Sequence, residues 1–143
     1  MIEKNSSMRQ LIDFRLEKLN RLKELGIEPF PHKYNPTHKS IDIISSFNDL
    51  EKQTVCVAGR IMALRKMGKA SFIHVMDDKG KIQIFIKKDN VGDKVYEAFN
   101  LMDIGDFIGV SGFVFKTKVG EISISAEKFD VLSKSIRPLP IVK

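Results

Sequence analysis

The stretch from Ala70 to Lys87 most constrains the fold, because apolar and polar residues alternate along it with the period of a β-strand. Ile82, Ile84 and Ile86 form an apolar row at every second position. Alternate side chains of a strand point to the same face, so this row must face a core. The segment DDKG, residues 77–80, predicts the turn that joins two strands into a hairpin.

The register of this hairpin predicts a phenylalanine on the outer face. With a loop at residues 77–80, Phe72 lies opposite Phe85 and His74 lies opposite Gln83, and facing residues of an antiparallel pair share a side. An aromatic residue on a strand more often packs in a core or against a cross-strand neighbour. An outward ring beside an amide therefore makes Phe72 and Gln83 candidate binding residues.

The strand period recurs on both sides of the hairpin, and a helical period separates the third strand from the fourth. Strands are predicted at residues 54–64, 70–76, 81–87, 107–115 and 121–129, and the helix at 91–102. Three strands, a helix and two strands is the element order of a five-stranded OB-fold Greek-key barrel. We therefore predict a mainly β fold of this type, with a core row at Ile122, Ile124 and Ala126 and an outer row at Glu121, Ser123 and Ser125.

The residues before the barrel have a different pattern. Apolar residues recur at helical spacing over residues 8–25, Ser7 with Gln10 resembles a capping box, and Gly26 is placed to end the helix. The predicted organisation is an N-terminal amphipathic helix at 1–26, a proline-containing connector at 27–53 with a weakly predicted helical turn, and the OB-fold at 54–133.

The net charge of +6, from 24 Lys and Arg against 18 Asp and Glu, suits a partner that carries phosphates, although many basic proteins bind none. OB-folds bind single-stranded bases on an outer sheet face, where each stacked base contributes ~1–3 kcal/mol. The cations around the first loop and the last hairpin are Arg60, Arg65, Lys66, Lys69, Lys116 and Lys118. The alternative is a stand-alone OB module that binds single strands in general, or another protein.

Other classes of function have little support. Cys56 has no cysteine partner and is predicted as a small core residue. His32, His38 and His74 do not combine with carboxylates or cysteine at a metal or nucleophile spacing, and no Gly-rich phosphate loop is present, so we expect neither a catalytic nor a metal site. The sequence has no apolar run long enough for a bilayer and no signal-peptide pattern, so we expect a cytoplasmic protein.

Several stretches resemble the N-terminal anticodon-binding domain of class II lysyl-tRNA synthetases. They read VAGRIMALRKMGKASF, DDKGKIQIF, DIGDFIGVSGFVFKTKVGEISI and KSIRPLP. The combination of MGKASF, FKTKVGE and RPLP favours the lysyl family over its aspartyl and asparaginyl relatives. The resemblance implies a parent enzyme, typically a homodimer, that ligates lysine to tRNA(Lys) with ATP and Mg²⁺ in a catalytic domain absent from this chain. The chain alone should then be inactive, and residues 134–143, with Pro138 and Pro140, would be a hinge toward that domain.

The resemblance also implies site residues. Phe72 would stack on the central uridine of the anticodon and Gln83 would hydrogen-bond its edge, while Arg65 and Glu121 would contact anticodon bases. Strand alternation supports the placement of Phe72 and Gln83 and leaves that of Arg65 and Glu121 open. The weaker assignments, as contacts to the RNA backbone, are Lys69, Lys116 and Lys118.

Overall fold

The computed structural model describes residues 2–26 and 36–134, and it confirms the predicted OB-fold as a closed barrel of five strands. The strands are β1 (Thr54–Met67), β2 (Ala70–Met76), β3 (Lys81–Lys87), β4 (Phe107–Lys116) and β5 (Ile122–Ser133). Their order around the barrel is β1-β2-β3-β5-β4, and pairing of β4 with β1 closes it. The pairing of β3 with β5 is parallel, whereas the other four are antiparallel.

Five helices accompany these strands within the described residues. They are α1 (Ile2–Glu24), α2 (Ser40–Ser45), α3 (Phe47–Leu50), α4 (Lys88–Val91) and α5 (Asp93–Asn100). The helix predicted between β3 and β4 is present as α5, and Gly92, at φ 92°, separates α5 from the short helix α4, which begins directly after β3. None of the described helices has both the length and the apolar character needed to cross a bilayer.

The first helix differs from its prediction at one end. Helix α1 begins at Ile2, so Ser7 lies inside the helix and the predicted capping box does not start it. Serine and asparagine disfavour a helix only weakly, which allows the extension. Gly26 ends the helix as predicted: its φ is 78° and its N–H donates to the carbonyl of Lys23 at 3.0 Å. Residues 27–35 of the predicted connector, which include His32, lie outside the described residues, as do Pro138 and Pro140.

The hairpin of β2 and β3 has the predicted register. Phe72 pairs with Phe85 and His74 with Gln83. The isoleucine row of β3 is buried, and Asp77 holds the turn by accepting hydrogen bonds from the backbone N–H groups of Lys79 and Gly80 at 2.9 and 3.0 Å. The conformation of a turn and the alternation of a strand depend on neighbouring residues only. The sequence was therefore sufficient to predict the register of this hairpin.

A β-bulge in β1 changes which residues face the core. Ile61 pairs with Val75 but Ala63 pairs with His74, so Met62 is the extra residue. Before the bulge the odd-numbered positions of β1 from Val55 to Ile61 are buried, and after it Leu64 is the residue of the strand that packs, partly buried, against the core. Arg65 consequently pairs with Phe72 and lies on the outer face.

The outer row of β5 is largely covered. Ser123 and Ser125 alternate with the core residue Ile124 as predicted, yet both are buried. Ser123 pairs with Phe115 of β4, and the Phe85 ring on β3 lies 6.4 Å from the Phe115 ring, measured between centroids. Large aromatic rings on the flanking strands therefore cover the small side chains between them.

The prediction that Cys56 is a core residue is wrong. Val55 and Val57, its neighbours in β1, are buried, so Cys56 points to the opposite face and is half-buried. The backbone N–H of Thr37 donates to the Cys56 carbonyl at 2.8 Å, and the segment before α2 runs beside this part of the strand. An apolar run such as VCVAG does not distinguish a two-sided core strand from one with a single buried face.

A buried charge cluster joins α1 to the barrel. Lys134, whose side chain is fully buried, lies 2.6 Å from Asp103 and 2.8 Å from Asp106 through its ammonium nitrogen. Lys18 of α1 donates to Asp103 at 2.8 Å, and Arg15 approaches the same carboxylate at 3.9 Å. Burial alone raises the pKa of Asp103, but the hydrogen bonds from Lys134 and Lys18 outweigh it, so that the pKa lies below its usual range.

We expect Lys134→Met to destabilise the fold by about 3–5 kcal/mol, because it leaves the buried Asp106 carboxylate and the partly buried Asp103 carboxylate without their shared cation. Equilibrium urea denaturation measures the change. The control is Asp78→Asn, which removes the exposed pair of Asp78 with Lys39 at 3.0 Å and should leave the urea midpoint unchanged. Equal midpoints for Lys134→Met and the unaltered chain would contradict a stabilising role for the cluster.

The lowered pKa of Asp103 predicts a defined acid sensitivity. The stabilisation that comes from the charged carboxylate is present above the ordinary aspartate pKa of 3.8 and is lost as the pH falls through the lower pKa of the folded state. The free energy of unfolding should therefore fall more steeply below about pH 4 in the unaltered chain than in Asp103→Asn. Denaturation curves at several pH values measure both slopes, and identical slopes would exclude this linkage.

Candidate nucleic-acid interface

Four residues from different strands and loops converge on one cavity of about 430 Å³ on the outside of the barrel. Arg65, Phe72, Gln83 and Glu121 all line it, and we name it the outer-face cavity. Its remaining walls are formed by Ala63, Leu64, His74, Thr117 and Val119. The structure thus brings together all four residues for which the family resemblance implied contacts to bases.

Each of the four is positioned by a different feature of the barrel. The bulge in β1 turns Arg65 outward beside Phe72, and the hairpin register sets Phe72 and Gln83 on the same face. Glu121 is brought there by the parallel pairing of β3 with β5, in which Gln83 is the partner of Ser123. The turn before β5 is fixed because the N–H of Thr117 donates to the Glu121 carbonyl at 2.9 Å.

The Phe72 ring is supported from one side. It lies 4.8 Å from the Phe85 ring between centroids, with the planes inclined by 33°. Phe85 in turn packs edge-on against Phe115. Such contacts hold a ring in place, and the half-buried Phe72 still has surface at the cavity. This arrangement suits a stacking platform for a planar ligand.

Hydrogen bonds orient the Gln83 amide. Its Nε2 donates to Ser123 Oγ at 3.1 Å, and Ser123 Oγ donates to the backbone carbonyl of Glu121 at 3.3 Å. A serine hydroxyl has a single proton to donate, so once it is given to Glu121 the oxygen can only accept from Gln83. With one of its two N–H groups engaged by Ser123, the Gln83 amide has its oxygen as an acceptor and its second N–H as a donor available to a ligand.

His74 is a cavity residue that the sequence did not single out. Its Nε2 lies 3.5 Å from a carboxylate oxygen of Glu121, and its strand partner is Gln83. The signal was present, since the predicted register already set His74 opposite Gln83. Thr117 and Val119 were also missed, because a turn carries no periodic pattern from which their direction can be deduced.

The predicted backbone-contacting lysines lie around the cavity and do not line it. Lys69 and Lys118 are exposed in the turns between β1 and β2 and between β4 and β5. Lys116 is exposed at the end of β4, where its ammonium nitrogen lies 4.7 Å from the centroid of the Phe47 ring. Arg60, on the outer side of β1, lies 5.9 Å from the Phe107 ring centroid.

Lys66 lies on the side of β1 opposite to Arg65. The bulge turns it to the inner side of β1, where its ammonium group donates to the carbonyl of Asn100 at 2.8 Å. Desolvation in this position lowers the pKa of Lys66. Its side chain is therefore directed away from the face that Phe72 and Arg65 share.

Comparisons with known proteins agree with this geometry. Residues 55–132 match the tRNA anticodon family described as the OB-fold nucleic acid binding domain. The chain is 47% identical over 137 residues to the lysine–tRNA ligase of Pelotomaculum thermopropionicum, and the alignment covers 96% of the chain. It is 46% identical over 136 residues to that of Bacillus subtilis and 48% identical over 130 residues to that of Moorella thermoacetica, covering 90% and 91% of the chain.

The aligned region is a minor part of these relatives. The chain spans 27% of the length of each of the three ligases, which is about a quarter. The match to the OB-fold nucleic acid binding domain, in contrast, includes nearly all of the barrel from β1 to β5. The chain therefore belongs to the tRNA anticodon family of OB-fold nucleic acid binding domains.

Proposed function

We propose that this chain reads the anticodon loop of tRNA(Lys) as the tRNA-binding module of a lysine–tRNA ligase. The observation that carries the proposal is the convergence of Arg65, Phe72, Gln83 and Glu121 on one outer-face cavity. The choice of lysine and of its tRNA rests on the names of the similar proteins, which are all lysine–tRNA ligases.

In this proposal the central uridine stacks on Phe72 and presents its edge to Gln83. Stacking accepts any base, so discrimination must come from hydrogen bonds. The Gln83 amide oxygen accepts the N3–H of uracil, whereas cytosine has an acceptor at N3 and would leave both groups unpaired. An unpaired polar group in a site closed by a bound base costs about 1–3 kcal/mol, which is enough to reject the wrong base.

Arg65 and Glu121 are proposed to contact the same or neighbouring bases from two sides of the cavity. The guanidinium of Arg65 has only hydrogen-bond donors and the carboxylate of Glu121 has only acceptors. Together they can hydrogen-bond to the acceptors and to the donors on a base edge. The phosphates of the loop would be held by Lys69, Lys116 and Lys118. Such contacts strengthen binding without selecting a sequence.

The ligation itself is assigned to a part of the parent protein that this chain does not cover. The parent would join lysine to tRNA(Lys) with ATP and Mg²⁺, as a cytoplasmic homodimer, with residues 134–143 as the hinge to its catalytic domain. Within the described residues, no three side chains from His, Cys, Asp and Glu are grouped to hold a metal ion. The work that we propose for this chain is recognition, and its residues are assigned no step that involves ATP or Mg²⁺.

A titration with two RNAs tests the proposal. The chain should bind the tRNA(Lys) anticodon stem-loop more tightly, by about 1–3 kcal/mol, than the same stem-loop with its central uridine replaced by cytidine. Fluorescence anisotropy at fixed salt measures both affinities. Equal affinities would contradict anticodon reading and favour a general single-strand binder, while no binding to either RNA would favour a protein-interaction module.

Phe72→Ala should weaken binding of the stem-loop by about 1–3 kcal/mol, because it removes the stacking surface. Since the ring lies on the outer face, the melting temperature should change little. Phe113→Ala is the matched control, because Phe113 is also an outer-face ring, 37% exposed, but does not line the outer-face cavity. A loss of affinity in the control equal to that in Phe72→Ala would refute the assigned role of Phe72.

A further inference from the structure

The backbone of Glu121 is held more firmly than its side chain. The N–H of Glu121 donates to Thr117 Oγ1 at 3.0 Å, and the carbonyl of Glu121 accepts from the N–H of Thr117 at 2.9 Å and from Ser123 Oγ at 3.3 Å. The side chain is 46% exposed and has three rotatable bonds, so a fixed backbone does not determine where the carboxylate lies. The carboxylate is held at the outer-face cavity only if it has a partner of its own.

His74 is that partner. Its Nε2 lies 3.5 Å from Oε2 of Glu121, and its side chain is only 33% exposed. His74 is itself fixed in the sheet, since it pairs with Gln83 of β3 on one side and with Ala63 of β1 on the other. It therefore lies between the oriented amide of Gln83 and the carboxylate of Glu121, the two groups proposed to accept hydrogen bonds from bases.

The charge of the imidazole decides whether this contact is favourable. A protonated ring donates from both nitrogens and attracts the carboxylate, whereas a neutral ring with its proton on Nδ1 turns one acceptor toward another. Histidine is the side chain that changes its charge between about pH 5 and 8. Three charged groups line cavities that His74 also lines: Glu121 before β5, Arg65 on β1 and Lys81 at the start of β3. Of these, Glu121 attracts the imidazolium and the two cations repel it.

A bound RNA strand changes this balance of charge. Its phosphates bring negative charge to the outer face of the barrel, and they offset the repulsion from Arg65 and Lys81. A base that donates to Glu121 also requires the carboxylate to stay in one place. Both effects favour the imidazolium more in the complex than in the free chain, so binding of the RNA should be coupled to uptake of a proton by His74.

We propose that His74 is a positioning residue that, in its protonated form, holds the Glu121 carboxylate in place for a base and makes RNA binding dependent on pH. Oε2 of Glu121 faces His74, and Oε1 is left to accept from the base. The inference rests on the proposed function, because Glu121 must contact a base of the anticodon loop. Since the complex favours the protonated ring, the additional affinity is present at low pH and is lost as the pH rises through the range in which the ring loses its proton.

A pH titration of RNA binding tests the proposal. Affinity for the tRNA(Lys) anticodon stem-loop, measured by fluorescence anisotropy at fixed salt, should be about two- to fivefold higher near pH 5.5 than near pH 8, the effect of about one partly exposed ion pair. His74→Gln retains a hydrogen-bond donor without a titrating charge, so its affinity should stay at the high-pH value throughout. The matched control is His38→Gln, which should keep the pH dependence, because His38 lies before α2 beside Thr37 and lines neither cavity.

A double-mutant cycle tests whether His74 acts through Glu121. Glu121→Gln keeps the size of the side chain and removes the charge with which His74 pairs. Near pH 6, His74→Gln should weaken binding about two- to fivefold in the unaltered background and should have no effect in the Glu121→Gln background. Glu121→Gln should also flatten the pH profile, so the proposal is tested even if substitution of His74 disturbs the strand. Equal losses from His74→Gln in both backgrounds would overturn it.

The outcomes separate this inference from the proposed function. Suppose that His74→Gln has the same affinity and the same pH profile as the unaltered chain, while the chain still binds the stem-loop with a central uridine more tightly than the one with cytidine. The role of His74 is then wrong and the proposed function stands. Equal binding of the two stem-loops by the unaltered chain overturns the proposed function, and with it this inference.

Discussion

The parallel pairing of β3 with β5 is the constraint on which the rest of the structure depends. It joins the hairpin of β2 and β3 to the strands that follow the helices, so that the barrel closes and no strand edge is left unpaired among its five strands. The same pairing sets Ser123 beside Gln83, which fixes the amide, and carries Glu121 to the cavity that Phe72 borders. The pairing that closes the barrel therefore also assembles the candidate site.

Close approach of the backbones makes this closure possible at two glycines. A side chain at Gly112 of β4 would overlap the carbonyl oxygen of Ser125 on β5. A side chain at Gly59 of β1 would lie 2.5 Å from a methyl carbon of Val75 and 2.6 Å from the Met76 carbonyl on β2. Both strands also carry register shifts, and glycines with bulges are the usual means by which a small barrel turns its corners.

Stability and recognition occupy different parts of the molecule. The cluster around Lys134 fastens α1, the loop before β4 and the end of β5 through buried charges that have partners. The outer-face cavity instead presents a supported ring and an oriented amide. Substitutions in this cavity should therefore alter RNA binding with small effects on folding, which makes the proposed roles open to mutational analysis.

The sequence by itself determined the hairpin register, the isoleucine core row and the outward placement of Phe72 and Gln83, because strand alternation and turn chemistry act over a few neighbouring residues. Only the tertiary structure decided the positions of Arg65, Lys66 and Glu121. One extra residue at Met62 reverses the faces of β1 and exchanges the directions of Arg65 and Lys66. Glu121 reaches the outer-face cavity through the β3–β5 pairing, and α2 is held on the hairpin by the hydrogen bonds from Ser40 to Asp77. Bulges, strand order and docking are set by packing between residues far apart in the chain, which a local period does not encode.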